Sequence, residues 1–171
     1  MKPSDLLVDD PAPQRVLIDS RDGLREAIDV ALKLGRRRLC FLHHDLSVFD
    51  LSSIDATEAL SRLLLANRAA RVRMLVDDPL WLDTRAARLR LLQQRFPHAL
   101  ELRVASSDDP VEDDAAILVD DQSSLELRPT RTVRGELWLR NPPHVQPLSS
   151  AFDRRWDAGA HNLPVYALGL G

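Results

Sequence analysis

Apolar residues recur along this chain with two periods, and the switches between them mark out its elements. Leu24, Ala27, Ile28, Ala31 and Leu32 fall at helical spacing after Asp19-Ser20, which suits an N-cap, and Gly35 supplies a stop. Residues 38–43 read as a first buried strand. Asp55 with Glu58 then predicts a capping-box start for a helix with Ala59, Leu60, Leu63 and Leu64 on one face. Residues 72–76 form a second strand, ending in Asp77-Asp78-Pro79. A third helix is predicted over about 80–95, with Leu82, Ala86, Leu89, Leu92 and Phe96 as its stripe.

Residues 100–104 give a third strand, and 106–112, polar and holding Pro110, a loop. The run 115–119 is apolar throughout, as in a strand covered on both faces. A turn at 121–124 leads to a strand around Leu125 and Leu127, and another strand spans 132–140. Asn141 caps a last helix with Pro142 and Pro143 in its first turn and Leu148, Phe152 and Trp156 facing inward. Strand–helix alternation followed by consecutive strands and a C-terminal helix predicts an α/β fold, a mixed β-sheet flanked by helices. A length of 171 residues suits one domain. A loose acidic arm (1–15) with three prolines, a domain (16–158) and an irregular tail (159–171) are expected.

Hydrophobic residues at 44% and charged residues at 29% exclude wholesale disorder. A net charge of −3 argues mildly against a nucleic-acid partner, although a local patch can override a net value. Every cation except Lys2 and Lys33 is arginine. The triplet Arg36-Arg37-Arg38 stands at a helix end, where capping and solvation are the simpler roles. A single cysteine, Cys40 in an apolar strand, rules out an internal disulfide and a cysteine-rich zinc site and suits packing. With no signal-peptide pattern and no membrane-length apolar run, a cytoplasmic protein without membrane contact is expected.

Hydrolase and nucleotide motifs are absent. Ser52, Ser53, Ser106 and Ser107 lack the Gly-x-Ser-x-Gly setting, and six glycines supply neither a Walker loop nor a dinucleotide fingerprint. His43-His44-Asp45 and Asp77-Asp78 follow two strands, so parallel strands would bring them to one cleft at the carboxyl edge of the sheet. Their composition suits a divalent metal. Adjacent residues on an extended chain diverge, however, and strand-end aspartates commonly cap turns, so no metal and no cofactor are assigned. In the later hairpin, Arg134, Glu136, Trp138 and Arg140 share one strand face, with Glu126 and Arg128 beside them on the preceding strand. Tryptophan among arginines suits an interaction surface, and equally a face where tryptophan packs beneath arginine stems.

Residues 113–121 resemble the His-x-Lys-x4-Asp segment of the phospholipase-D-like superfamily. One frame places Asp113, Ala115 and Asp120 at the motif positions, the preferred choice because Ala116 to Val119 then lead straight to the aspartate; the other uses Asp114, Ala116 and Asp121. Asp45-Leu46-Ser47 and Asp78-Pro79 resemble steps in a narrower bacterial group of this fold with a decayed motif. The resemblance implies one half of a phospholipase-D-like fold, with Asp120 converging on the same cleft as His43 and Asp77. It also implies lost activity, since the attacking histidine and the phosphate-binding lysine are both replaced. The expected role is a catalytically inactive binding or assembly module: a homodimer, because the chain holds one motif half, with an unknown protein or small-molecule partner. The alternatives are a metal-dependent enzyme using the strand-end residues and a nucleic-acid binder using the arginine-rich hairpin.

Overall fold

Local signals place the helices where the sequence predicts them. In the computed structural model, which describes residues 2–3, 10, 12–158 and 161–163, helix α1 spans Arg21–Leu34. Ser20 Oγ accepts the Gly23 N–H, and Leu24, Ala27, Ile28, Ala31 and Leu32 are buried. Helix α2 (Ile54–Ala66) is capped by Ser53, whose hydroxyl accepts the Ala56 N–H, and not by the Asp55 and Glu58 pair. Ser53 is the last residue still in extended backbone, so its oxygen reaches the first free N–H groups. The helix predicted over 80–95 is two, α3 (Leu80–Arg85) and α4 (Ala87–Arg95). Ala86 leaves helical geometry (φ −114°, ψ 44°), and Ser52 Oγ accepts the Leu89 N–H at the start of α4. Helix α5 (Pro142–Asp157) begins where Asn141 Oδ1 accepts the His144 N–H.

The strands are β1 (Gln14–Ile18), β2 (Arg38–Leu42), β3 (Arg71–Val76), β4 (Leu100–Val104), β5 (Ala115–Val119), β6 (Ser123–Leu127), β7 (Gly135–Leu139) and β8 (His161–Asn162). Among the described residues they form one sheet, ordered β1-β7-β6-β5-β2-β3-β4-β8. Neighbours β2, β3 and β4 are parallel; every other pairing is antiparallel. The mixed sheet flanked by helices is thus as the sequence predicts.

Two strands are additions to that reading. β1 takes Gln14 and Arg15 from the supposed arm and Val16 to Ile18 from a stretch given no element, and β8 lies in the supposed irregular tail. Each is short and is held by a distant partner, so neither carries a local pattern long enough to read. β7 is shorter than predicted, leaving Arg134 and Arg140 outside the ladder.

Alternation along β2 shows how the core divides. Leu39 and Phe41 pack with α1, α2, α3 and α4 on one face, while Cys40 and Leu42 join Leu75, Leu118, Phe152 and Trp156 beneath α5 on the other. Burying each such leucine or phenylalanine contributes roughly 1.5–3 kcal/mol. α5 covers only the middle of its face, so Leu17 on edge strand β1 stays 66% exposed. β6 and β7 approach closely at Gly135, where a Cβ would lie 2.5 Å from the Glu126 carbonyl oxygen.

Candidate functional site

Because β2, β3 and β4 run parallel, their carboxyl ends share one edge of the sheet. His43, His44, Asp45, Asp77 and Asp78 gather there. His43 Nδ1 accepts the N–H of Leu46 at 2.9 Å and of Asp45 at 3.2 Å, which fixes the neutral ring with its proton on Nε2. The ring meets Phe49 edge-on at 5.9 Å. Burial lowers the His43 pKa and outweighs the Asp45 carboxylate 3.1 Å away. Leu46, fully buried, takes a left-handed φ of 70°, an uncommon state for leucine that the His43 bond helps hold.

His44 points away from His43, its side chain 56% exposed, with Nδ1 3.5 Å from Asp77 Oδ2. Its carbonyl accepts the N–H groups of Asp77 and Asp78.

The carboxylates are occupied by turns. Asp45 Oδ1 accepts the N–H and the hydroxyl of Ser47 at 3.0 and 2.6 Å. Burial alone would raise the Asp45 pKa, but these bonds and the two histidines together hold it below the usual range. Asp77 accepts the N–H groups of Val111 and Glu112 at 2.7 and 2.8 Å, which ties the loop before β5 to the end of β3. Asp78 accepts the Leu80 N–H at 2.9 Å. The cluster is therefore a clasp joining three loops. Among the described residues no three His, Cys, Asp or Glu side chains stand where they could hold a metal ion.

Asp120 does not join this cleft. β5 runs antiparallel to β2, with Val119 opposite Leu39, so Asp120 emerges at the far edge beside Arg38. There its carboxylate accepts three successive main-chain N–H groups, from Arg36 (3.0 Å), Arg37 (2.8 Å) and Arg38 (2.8 Å). The expectation of convergence fails because an apolar run specifies a strand without specifying its direction. Asp113 is exposed at the carboxyl edge, and Ala115 packs against the α1–α4 side of the core. In the other frame, Asp114 accepts Arg155 Nη1 at 2.8 Å, Ala116 packs on the α5 side, and Asp121 accepts Arg38 Nη1 at 3.1 Å. Arg38 also pairs with Asp153 of α5.

The hairpin residues fall into separate settings. Trp138 lies half-buried between Arg15, whose guanidinium is 4.8 Å from the ring centroid, and His144, stacked at 4.0 Å. Glu136 accepts from Arg15 (2.6 Å), Arg128 (3.2 Å) and Trp138 Nε1 (2.9 Å). The Arg15 hydrogen bond, then that from Trp138 and the two guanidinium charges, hold its carboxyl below the usual range. His144 Nε2 is 2.7 Å from Glu126. Arg134 reaches the Asp19 carbonyl, and Arg140, at φ 53°, turns out of the strand. The sequence reading missed Arg15 because it placed no strand there; Glu136, alternating with Leu137, was the one legible sign that the arginines had an acidic partner.

Residues 20–168 match the family described as Domain of unknown function (DUF7931), and the chain belongs to that family. No curated protein matches it. Among solved structures it is similar to Nuc, a phospholipase D family member from Salmonella typhimurium, with 16% identity and a TM-score of 0.65 over 89% of this chain and 99% of that one. NucT from Helicobacter pylori gives 8% identity and a TM-score of 0.61, over 89% of this chain and 100% of that one. Phosphatidylserine synthase from Haemophilus influenzae Rd KW20 gives 14% and 0.60, over 88% of this chain and 39% of that one. The fold is that of the phospholipase D family. At these identities the likeness concerns the fold alone.

Proposed function

We propose that this chain is a phospholipase-D-like domain without phosphodiesterase chemistry, serving as a binding or assembly module. One observation carries the reading. The segment aligned with the catalytic motif holds a carboxylate and a methyl group, Asp113 and Ala115, where displacement at phosphorus needs a nucleophilic imidazole and a cation. Asp113 would repel a phosphodiester, and Asp120 is taken up by three backbone donors. His43 is no substitute nucleophile: Nδ1 is occupied by two N–H groups, and Nε2 carries the proton.

Assembly is supported by the sheet face around Leu17, which no described element covers. Leu17 stands exposed beside Glu136, and the surrounding Arg15, Arg128, Glu126 and Glu136 carry both signs of charge, so a twofold axis can set each sign against its opposite. The protein, assayed with bis(p-nitrophenyl) phosphate and with phospholipid vesicles, should release product no faster than buffer. Turnover that disappears in Asp113→Ala, a change at an exposed side chain, would overturn the reading.

A further inference from the structure

The far edge of the sheet carries a concentration of positive charge that the net value conceals. Between the C-terminal ends of α1 and α2 lies a groove of about 590 Å³, rimmed by Lys33, Arg36, Arg37 and Arg62 and floored by Leu32 and Leu63. No acidic side chain lines it among the described residues. Arg68 in the turn after α2 and Arg71 at the start of β3 follow at the same edge, where the Arg71 N–H donates to the Arg37 carbonyl.

The nearby charges are unequally engaged. Lys33 pairs with Asp29, Arg36 donates to the Lys33 and Gly35 carbonyls, and Arg71 donates to the Arg68 and Ala70 carbonyls. The side chains of Arg37, Arg62 and Arg68 are exposed and make no hydrogen bond or ion pair with the described residues. The main chain at Arg36 and Arg37 is nevertheless tied down from two sides. Asp120 clamps the N–H groups of Arg36 and Arg37 on one side; on the other, Asn67 Nδ2 donates to the Arg36 carbonyl at 3.0 Å. Guanidiniums held on a fixed main chain lose less freedom when an anion binds.

We propose that this groove seats the phosphate backbone of a nucleic acid, with Arg37, Arg62 and Arg68 as its contacts. Three features favour that class. Guanidinium groups match phosphate oxygens in forked geometry. The floor offers little apolar surface, Leu32 being 4% and Leu63 6% exposed, so neither an amphipathic peptide nor a lipid tail finds much to bury. The groove is concave, which suits a strand of backbone better than a flat bilayer. No aromatic side chain lines it, so bases are not stacked and the binding is independent of sequence. The site lies at the opposite edge of the sheet from Asp113 and does not depend on whether the domain is catalytic or dimeric.

The test is fluorescence anisotropy with the full chain and labelled single-stranded and duplex DNA of about 20 units, at roughly 50 to 200 mM salt. Binding should weaken on the order of fortyfold across that range, as expected for about three phosphate contacts. Combining Arg37→Ala, Arg62→Ala and Arg68→Ala should cost at least about tenfold at the lowest salt and leave only a few-fold salt dependence. The same number of charges removed at exposed Arg21, Arg85 and Arg88, away from the groove, should change little, and circular dichroism should show both variants folded. No binding at the lowest salt, or equal loss in the two triple variants, overturns the proposal. So does tighter retention, through the same three arginines, on an acidic peptide or on vesicles of phosphatidylserine and phosphatidylcholine. Comparing the single strand with the duplex then identifies which form of backbone the groove prefers.

Discussion

Asp120 donates its own N–H to the Arg38 carbonyl at 2.9 Å and takes the Arg38 N–H on Oδ1 at 2.8 Å, so the two residues lock the start of β2 to the end of β5. The same carboxylate holds Arg36 and Arg37, and Asp120 sits at a left-handed φ of 52°, which Asp and Asn tolerate better than most residues. Asp120→Ala leaves three N–H donors without their acceptor and loses that tolerance. Urea denaturation should show a loss of about 2–3 kcal/mol, with Asp120→Asn losing less. Equal stability of wild type and Asp120→Ala would remove the clamp, and with it the tied-down main chain argued for the basic groove.

Gly135 should admit no side chain. A Cβ there meets main-chain oxygen at 2.5 Å and Leu127 Cδ2 at 2.7 Å, and the oxygen belongs to the paired strand and cannot swing aside. Gly135→Ala is expected to cost about 1–3 kcal/mol by prising β6 from β7. A thermal melt matching wild type would show that the strands part more easily than this contact allows.

Acid should weaken the clasp at the carboxyl edge. Burial lowers the His43 pKa in the fold, so the unfolded chain takes up its proton first, near the ordinary value of about 6.5. The stability this neutral ring contributes is present at higher pH and is lost as pH falls through that value. Asp45, held below its ordinary value, adds a second loss in the same direction at still lower pH. Unfolding free energy measured from about pH 7 to 5 should therefore fall, and fall less in His43→Asn, whose Oδ1 can take the place of Nδ1 as acceptor. Identical slopes in the two proteins would assign the pH dependence to other groups.

Cys40 should be silent to thiol reagents. It is 2% exposed beneath α5, and burial pushes its thiol pKa up to about 12, so almost no thiolate exists near neutrality. Labelling by a chromogenic disulfide should proceed only as fast as the protein opens, and should become immediate in denaturant. Fast stoichiometric labelling of the folded chain contradicts this packing.

Self-association should run through the face around Leu17. Sedimentation over a hundredfold range of concentration is expected to approach twice the 19.3 kDa chain mass at the upper end. Leu17→Lys, at a side chain 66% exposed, should weaken the dimer without lowering the unfolding midpoint. A monomer throughout would leave the exposed face without a second copy.

Much of this architecture was legible because it is local. The buried stripe of α1 matches its spacing residue for residue, Asn141 and two prolines announce α5, and the apolar run of β5 is a strand between two others. Alternation also sorted Gly135, Leu137 and Leu139 inward from Glu136 and Trp138. The absence of a His-x-Lys pair needs no structure at all.

The rest was decided by contacts between distant segments. Arg15 and Glu136 are 121 residues apart, and only the pairing of β1 with β7 brings them together, turning an arginine-rich hairpin into a neutralised stack around Trp138. Asp120 went to the far edge for a related reason. A period of two tells which residues share a face, but reads the same in either direction along a strand, so orientation must come from the neighbour it pairs with. The break at Ala86 likewise follows from packing, with Ser52 taking an N–H that a continuous helix would have kept for itself. Sequence thus set the main buried stripes and the replacement of the His-x-Lys pair. Strand direction and edge position, which decide what each carboxylate meets, came only with the closed sheet.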